Sequence, residues 1–179
     1  MPETKSVQFT GMVEEYDLTP EEVAEAQDQA VEGAISGLFA ASRAVGKELQ
    51  MMGHIVYAHE ETGKGVSVAV IPIGSVDTDD FATAFKMFAQ EKKAIWAAVM
   101  AEAWTVTSKS GNPEDLTVRP SQHPDRKENL VLAVEGPLGS RLVNWEIKGK
   151  ELGEPQIVHN YEGKFSHLLP KSDPAEALN

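Results

Sequence analysis

The sequence predicts an α+β domain in which two helices pack against a mostly antiparallel sheet. Apolar residues recur at spacings of three and four between residues 31 and 49, as they do along one face of a helix. Most later segments are strand-like, and short glycine-containing turns separate them. Such connections join antiparallel neighbours. In chain order we expect a long N-terminal helix and then a ββαβββ unit with one further, less regular strand.

Length and composition suit a single domain. The chain has 179 residues, and 41% of them are hydrophobic, which is enough for a core at this size. We divide it into an N-terminal extension (1–18), one α+β domain (19–167) and a flexible tail (168–179). The chain has no cysteine, no apolar run of the roughly 20 residues that a membrane helix needs, and no signal-peptide pattern. The expected location is the cytoplasm.

The negative charge is concentrated near the start of the chain. Residues 1–42 contain nine acids and one lysine, and so carry −8 of the net charge of −12. This charge argues against direct binding of nucleic acid, because phosphates require a basic face. The acids form either the solvated face of a helix, a docking surface for a basic protein partner, or a mimic of nucleic acid.

The first helix is predicted to begin within "DLTPEEVAEAQ". Thr19 is a suitable N-cap, Pro20 suits the first helical position, and Glu22 completes a capping box with Thr19. The apolar seam extends the helix to about Leu49. The seam consists of Val31, Ile35, Leu38, Ser42, Val45 and Leu49.

Beside the seam runs a row of small residues, which we call the small row: Ala26, Ala30, Gly33, Gly37 and Ala41. Each glycine costs a helix about 1 kcal/mol relative to alanine, so we expect another backbone to approach closely there. Either the helix lies tightly on its own sheet, or it packs on its twin in a homodimer. In the second case the interface would contain Val31, Ile35, Leu38, Val45, Leu49, Gly33 and Gly37.

A β-hairpin and a second helix follow. Residues 55–59 and 66–73 are the predicted strands, joined by the turn "ETGKG". The helix "DTDDFATAFKMFAQEKK" is capped by Asp77 or Thr78. Its apolar face carries Phe81, Phe85 and Phe88.

The segment "AIWAAVMAEAWTVT" predicts a central strand, because both of its faces are apolar. The even positions include Trp96 and Met100 and form a large face, whereas the odd positions are mostly small. We expect the small row of the first helix to lie against this small face. The alanine content leaves a helical alternative open. The polar loop 108–126 follows, and then the strands "ENLVLAVEG", "SRLVNWEIKG" and a shorter "GEPQIVHNYEG" form an antiparallel meander.

Glu102 is the most informative charged residue, because it falls on the large apolar face of that strand. A buried carboxylate must be paired, hydrogen-bonded or protonated. Arg119 and Arg126, in "RPSQHPDRKE", are the nearest arginines that follow it. They either anchor the loop by pairing with Glu102, or line a pocket with His123 and Asp125 that binds a polar or anionic ligand.

No motif assigns a catalytic residue, a metal site or a cofactor. "TGKG" lacks the spacing and the following helix of a phosphate-binding loop. His54 and His59 are five residues apart, which places them on opposite faces of a strand and disfavours joint metal binding. Enzyme function is therefore not favoured.

The strings "AEAW" and "RPSQHPDRKENLVL" resemble those of small proteins in bacterial and phage genomes that have no assigned activity. The resemblance covers about residues 50–150 and implies a ββαβββ arrangement, without any catalytic residue. It also implies a location in the virion or the host cytoplasm if a phage encodes the protein. The leading hypothesis is a non-enzymatic, homo-oligomeric interaction or accessory protein. The alternatives are a small-molecule binder or hydrolase that uses the loop 119–126, and an acidic mimic of nucleic acid.

Overall fold

A computed structural model describes residues 6–106 and 117–171 of the chain. It confirms the α+β class: within these residues, two α-helices accompany one antiparallel sheet of eight strands. The elements in chain order are β1 (Phe9–Glu15), α1 (Pro20–Ala44), β2 (Met52–Ala58), β3 (Gly65–Pro72), α2 (Thr78–Glu91), β4 (Trp96–Thr105), β5 (Lys127–Gly136), β6 (Gly139–Lys148), β7 (Glu151–Leu152) and β8 (Gln156–His159). The strand order is β1-β3-β2-β4-β5-β6-β7, and β8 also pairs with β6.

Two crossovers place the helices on opposite faces of the sheet. The connection β1-α1-β2 passes over β3, and β3-α2-β4 passes over β2. Both crossovers step in the same direction across the sheet, but β1 and β3, the strands from which they start, run in opposite directions. Two right-handed crossovers must then lie on opposite sides of the sheet. We call these sides the α1 face and the α2 face.

The small row does not lie against the small face of β4, so that prediction is wrong. Helix α1 packs on the large face, where its Ile35 and Phe39 share a core with Trp96 and Met100. The small face instead receives α2, whose Phe81 and Phe85 rings stack at 5.8 Å. Small residues on β4 leave the space that bulky α2 rings need.

The capping of α1 is as predicted, but its end is not. Thr19 accepts from the N–H of Glu22 at 3.3 Å, and Glu22 accepts from the N–H of Thr19 at 2.9 Å. The helix ends at Ala44 instead of near Leu49. Gly46 adopts φ 69°, and the N–H of Lys47 donates to Ser42 at 3.0 Å, which is the bonding of a Schellman motif.

Both predicted domain boundaries require correction. Residues 9–15, assigned to an N-terminal extension, form the edge strand β1. Most of its residues are exposed on both faces. Its sequence therefore lacks the alternation of apolar and polar residues that predicts a strand. Leu168, assigned to the flexible tail, is fully buried on the α2 face, and its N–H donates to Glu135 at 2.7 Å.

The predicted hairpin and the central strand are confirmed. Strands β2 and β3 pair antiparallel, and β4 lies between β2 and β5 in the interior of the sheet. Asp77 caps α2 by accepting from the N–H of Asp79 at 2.7 Å. The predicted loop at 108–126 lies partly outside the described residues, which resume at residue 117 with a 3-10 turn at Pro120–Gln122.

Candidate functional site

Glu102 is paired, but its partner is Arg43 and neither Arg119 nor Arg126. The guanidinium of Arg43 lies 2.9 Å from Glu102, and both side chains are mostly buried. The other carboxylate oxygen accepts from the N–H of Leu49 at 2.7 Å. Glu102 thus joins the end of α1, and the chain that follows it, to the end of β4. The role is structural.

The proline-rich loop does not converge on this carboxylate. The guanidinium of Arg126 stacks 4.7 Å from the exposed ring of Trp104. His123 accepts from the N–H of Asp125 at 3.1 Å, and Arg119 is exposed. Among the described residues, Arg119, His123, Asp125 and Arg126 therefore do not converge on Glu102.

Several acids of the N-terminal segment have partners within the chain. Arg141 on β6 binds Asp28 at 2.8 Å and Glu32 at 3.2 Å, and the indole of Trp96 donates to Asp28 at 3.3 Å. These contacts hold α1 to the sheet. From the sequence these acids could be described only as part of a charged face. The structure gives Asp28 and Glu32 a definite structural role.

Helix α1 leaves part of its face of the sheet uncovered. Register places Met12, Ala69, His54 and Ala98 in one row across β1, β3, β2 and β4. Met12 is 62% exposed, and His54 and Ala69 are half-buried although β2 and β3 are interior strands. We call this region the open face. Its members are Met12, Met52, His54, Ala69 and Ile71, together with Ala30, Ala34 and Leu38 on the adjoining side of α1.

A groove of about 150 Å³ runs between α1 and the open face. Its lining is largely apolar and includes Leu38, Met52 and His54. Such a groove can accept apolar side chains from another surface, and it offers few polar groups that would orient a substrate.

His54 is the one ionisable side chain of the open face. Its Nε2 lies 2.5 Å from the hydroxyl of Ser67, and its ring packs edge-on against Trp96 at 5.3 Å. Burial lowers the pKa of His54, while the charge of Glu14 acts in the opposite direction. Burial therefore favours the neutral ring over the charged one.

The pair of His54 and Ser67 lacks the setting of a nucleophilic site. Ser67 is only 4% exposed and lies in β3, which pairs with β1 on one side and β2 on the other. The backbone N–H groups of β3 near Ser67 take part in the pairing with β1 and β2, so they are not available to stabilise an oxyanion beside the hydroxyl. Sequence analysis missed this pair, because two strands bring together residues 13 apart.

No family model, curated protein or solved structure matches this chain. Over residues 6–106 and 117–171, no three histidine, aspartate or glutamate side chains come together as a metal ion would require. Neither described helix is long and apolar enough to cross a membrane.

Proposed function

We propose that the protein is a non-enzymatic interaction protein that self-associates through α1 and the open face. The observation that carries this proposal is the outward side of α1. Its small row (Ala26, Ala30, Gly33, Gly37 and Ala41) is exposed, and beyond the helix's own backbone no described atom lies within 4 Å of where a Cβ of either glycine would be. Packing among the described residues does not account for these glycines.

A second copy of α1 accounts for them. Two helices with small residues at their contact can approach closely, and this contact offsets the cost of about 1 kcal/mol for each glycine. The small row bears no charge, which is unusual for a solvent-facing helix surface and typical of a packed one.

The open face must contribute to the same interface. Helix α1 has 25 residues and is therefore roughly 37 Å long. A stripe about 10 Å wide along it gives roughly 370 Å² per copy, whereas a stable interface buries about 800 Å² per partner. The groove and the exposed Met12 beside α1 supply further apolar area for a twofold arrangement.

Light scattering with size-exclusion chromatography tests the proposal. We expect a particle of about twice 19.4 kDa for the natural chain. Gly37→Leu should release monomers, because it prevents close approach of the helices while the space around residue 37 is open within the chain. The matched control is Ser36→Leu, which is also exposed but points away from the small row and should leave the dimer intact. A natural chain of 19.4 kDa at every concentration overturns the proposal.

The other hypotheses receive less support. A small-molecule binder or hydrolase that uses residues 119–126 requires these side chains to meet Glu102 in one pocket, and the described side chains do not meet there. A basic partner or nucleic-acid mimicry through residues 1–42 has to use the acids that remain exposed, such as Glu21 and Glu25. An accessory role in a bacterial or phage setting agrees with the resemblance of residues 50–150 and with self-association.

A further inference from the structure

Strand β1 leaves one edge of the sheet open for hydrogen bonding. It pairs with β3 on one side, and no described segment pairs with its other side. The opposite end of the sheet is formed by β7 and β8, of two and four residues, and such short edge strands limit further pairing. Strand β1 has seven residues, pairs with β3 without a bulge, and contains neither the proline nor the lysine that commonly protects an edge.

The free backbone groups of β1 occur at every second residue. The N–H of Ile73 donates to the carbonyl oxygen of Gln8 at 2.9 Å, and the N–H of Tyr16 donates to that of Gly65 at 3.0 Å. Even-numbered residues of β1 therefore bond to β3, since the bonds of an antiparallel pair alternate along each strand. The odd-numbered residues direct their N–H and C=O groups out of the sheet edge: Phe9, Gly11, Val13 and Glu15. Another strand can bond to these groups without breaking any bond to β3.

The side chains of β1 restrict the chemistry of such a strand. Met12 lies on the α1 face and is 62% exposed, and Val13 lies on the α2 face and is 65% exposed. Glu14 and Glu15 follow, one on each face, and both are exposed. Among the described residues these two carboxylates accept hydrogen bonds from neutral hydroxyl groups at 2.6 and 3.1 Å and form no ion pair. Each face of the edge thus presents one apolar side chain and one acid.

Charge complementarity identifies the partner. A strand that runs antiparallel to β1 meets the two glutamates first, and then Val13 and Met12. Directly opposed side chains share a face, where opposite charges attract and like charges repel. The first two positions of the partner are therefore basic and the next two are apolar. A second copy of β1 has no basic residue and does not fulfil this pattern.

We propose that the edge of β1 binds an extended segment of another protein, in which two adjacent basic residues precede two adjacent apolar residues. The segment adds a strand to the sheet, antiparallel to β1. Its main-chain hydrogen bonds supply affinity, and its opposed side chains supply specificity. The proposal goes beyond self-association and does not rest on it, because these bonds lie in the plane of the sheet and not on the outward side of α1.

Fluorescence anisotropy of the full chain with a labelled, capped peptide of sequence TKKVVTT tests the proposal. We expect saturable binding that weakens steeply as salt increases, because exposed charges are screened. The reversed peptide TTVVKKT has the same composition but does not place both lysines and both valines opposite their partners, so it should bind about tenfold more weakly. Absence of saturable binding up to millimolar concentration overturns the proposal. Equal binding of the reversed peptide also overturns it, since that result describes attraction by charge alone.

Variants of Val13 locate the binding at the edge. Val13→Pro removes an N–H that points out of the sheet and no bond to β3, so the far-UV circular dichroism should be unchanged and the peptide affinity should fall about tenfold or more. Val13→Ala keeps this N–H and is the matched control, so it should lose much less affinity. Normal binding by a folded Val13→Pro variant would place the peptide elsewhere and contradict the site.

Variants of the acids test the charge pattern without changing the backbone. The double variant of Glu14→Gln and Glu15→Gln should bind the peptide about tenfold more weakly and with little dependence on salt. The matched control changes two exposed acids at the opposite end of the sheet, Glu151→Gln and Glu154→Gln, and should bind as the natural chain does. An equal loss in both double variants would show that only net charge matters and would contradict pairing at β1.

Discussion

At the scale of single residues, one buried ion pair between residues far apart in sequence helps to hold α1 to the sheet. The ion pair of Arg43 with Glu102 joins the end of α1 to β4. Arg43 also stacks on Phe39 at 4.6 Å and donates to the carbonyl oxygen of Lys47 at 2.9 Å. Removal of Arg43 would thus affect the helix end, the core and the carboxylate at once.

Arg43→Ala should therefore destabilise the fold strongly. Loss of one partner of a buried pair leaves the other charge uncompensated, which costs about 3–5 kcal/mol. Glu102→Gln keeps the shape without the charge and should cost less. Arg126→Ala is the control, since an exposed stacking contact is worth about 0.5–1 kcal/mol. Urea denaturation measures all three, and similar unfolding free energies for the Arg43 and Arg126 variants would contradict the assignment.

His54 should make stability depend on pH. Because burial lowers the pKa of folded His54, the unfolded chain binds the proton first as the pH falls below about 6.5. The contribution of His54 to the unfolding free energy is complete above that pH and is lost as the pH falls toward the lower pKa of the folded state. Glu14, Ser67 and Trp96 face the ring and remain in place in His54→Gln. That variant should show a flatter profile between pH 7 and 5 in urea titrations; an identical slope would refute the role of His54.

At the scale of elements, glycines decide how closely helices and strands approach, and their surroundings differ sharply. A Cβ on Gly53 of β2 would lie 2.3 Å from Cε2 of Phe85, so α2 can lie close to the sheet only because this residue has no side chain. A Cβ on Gly33 of α1 would meet no described atom within 4 Å beyond the backbone of its own helix. One glycine serves the fold of the chain, and the other is available to a partner.

Gly53→Ala should lower the unfolding free energy by about 1–3 kcal/mol, because the added methyl group forces the Phe85 ring out of its position. Gly33→Ala, measured in dilute protein, should instead raise it by about 0.4–1 kcal/mol, because alanine favours the helix and meets no obstacle. Thermal unfolding of the two variants gives the comparison. The same sign for both changes would show that the packing of α2 on β2 differs from that described.

At the scale of the whole molecule, the uneven charge and the uneven coverage of the sheet define two different surfaces. A helix about 10 Å wide covers roughly two strands, which lie about 4.8 Å apart. One helix on the α1 face of an eight-stranded sheet therefore leaves interior strands partly exposed. The acids of residues 1–42 are partly engaged by Arg141 and by Lys64, which pairs with Asp17.

Any basic partner of residues 1–42 should bind in a strongly salt-dependent manner. Exposed charges are screened over about 10 Å at 0.1 M salt, so affinity for a basic protein should fall steeply as salt increases. Self-association through the apolar surfaces should change little under the same conditions. Sedimentation of the protein alone and with a basic test protein, in low and high salt, separates the two effects. Partner binding that resists high salt would exclude an electrostatic role for these acids.

Local features of the fold could be predicted from the sequence because the forces that produce them are local. The capping box at Thr19, the cap of α2 at Asp77 and the hairpin turn depend on residues a few positions apart. The end of α1 was also readable, since Gly46 is a typical residue for a helix terminus. The apolar spacing continues to Leu49, however, and so predicted a longer helix.

The sequence by itself determined the class of fold, the helix starts, the central position of β4 and the need of Glu102 for a partner. Only the tertiary structure decided that this partner is Arg43, 59 residues away, that α1 lies on the large face of β4, and that Asn129 meets Asn144. The reason is physical. Periodicity and capping act along a few residues, whereas the side of the sheet taken by each helix follows from the order of strands and the hand of the crossovers. That choice sets which distant side chains meet and leaves the small row exposed.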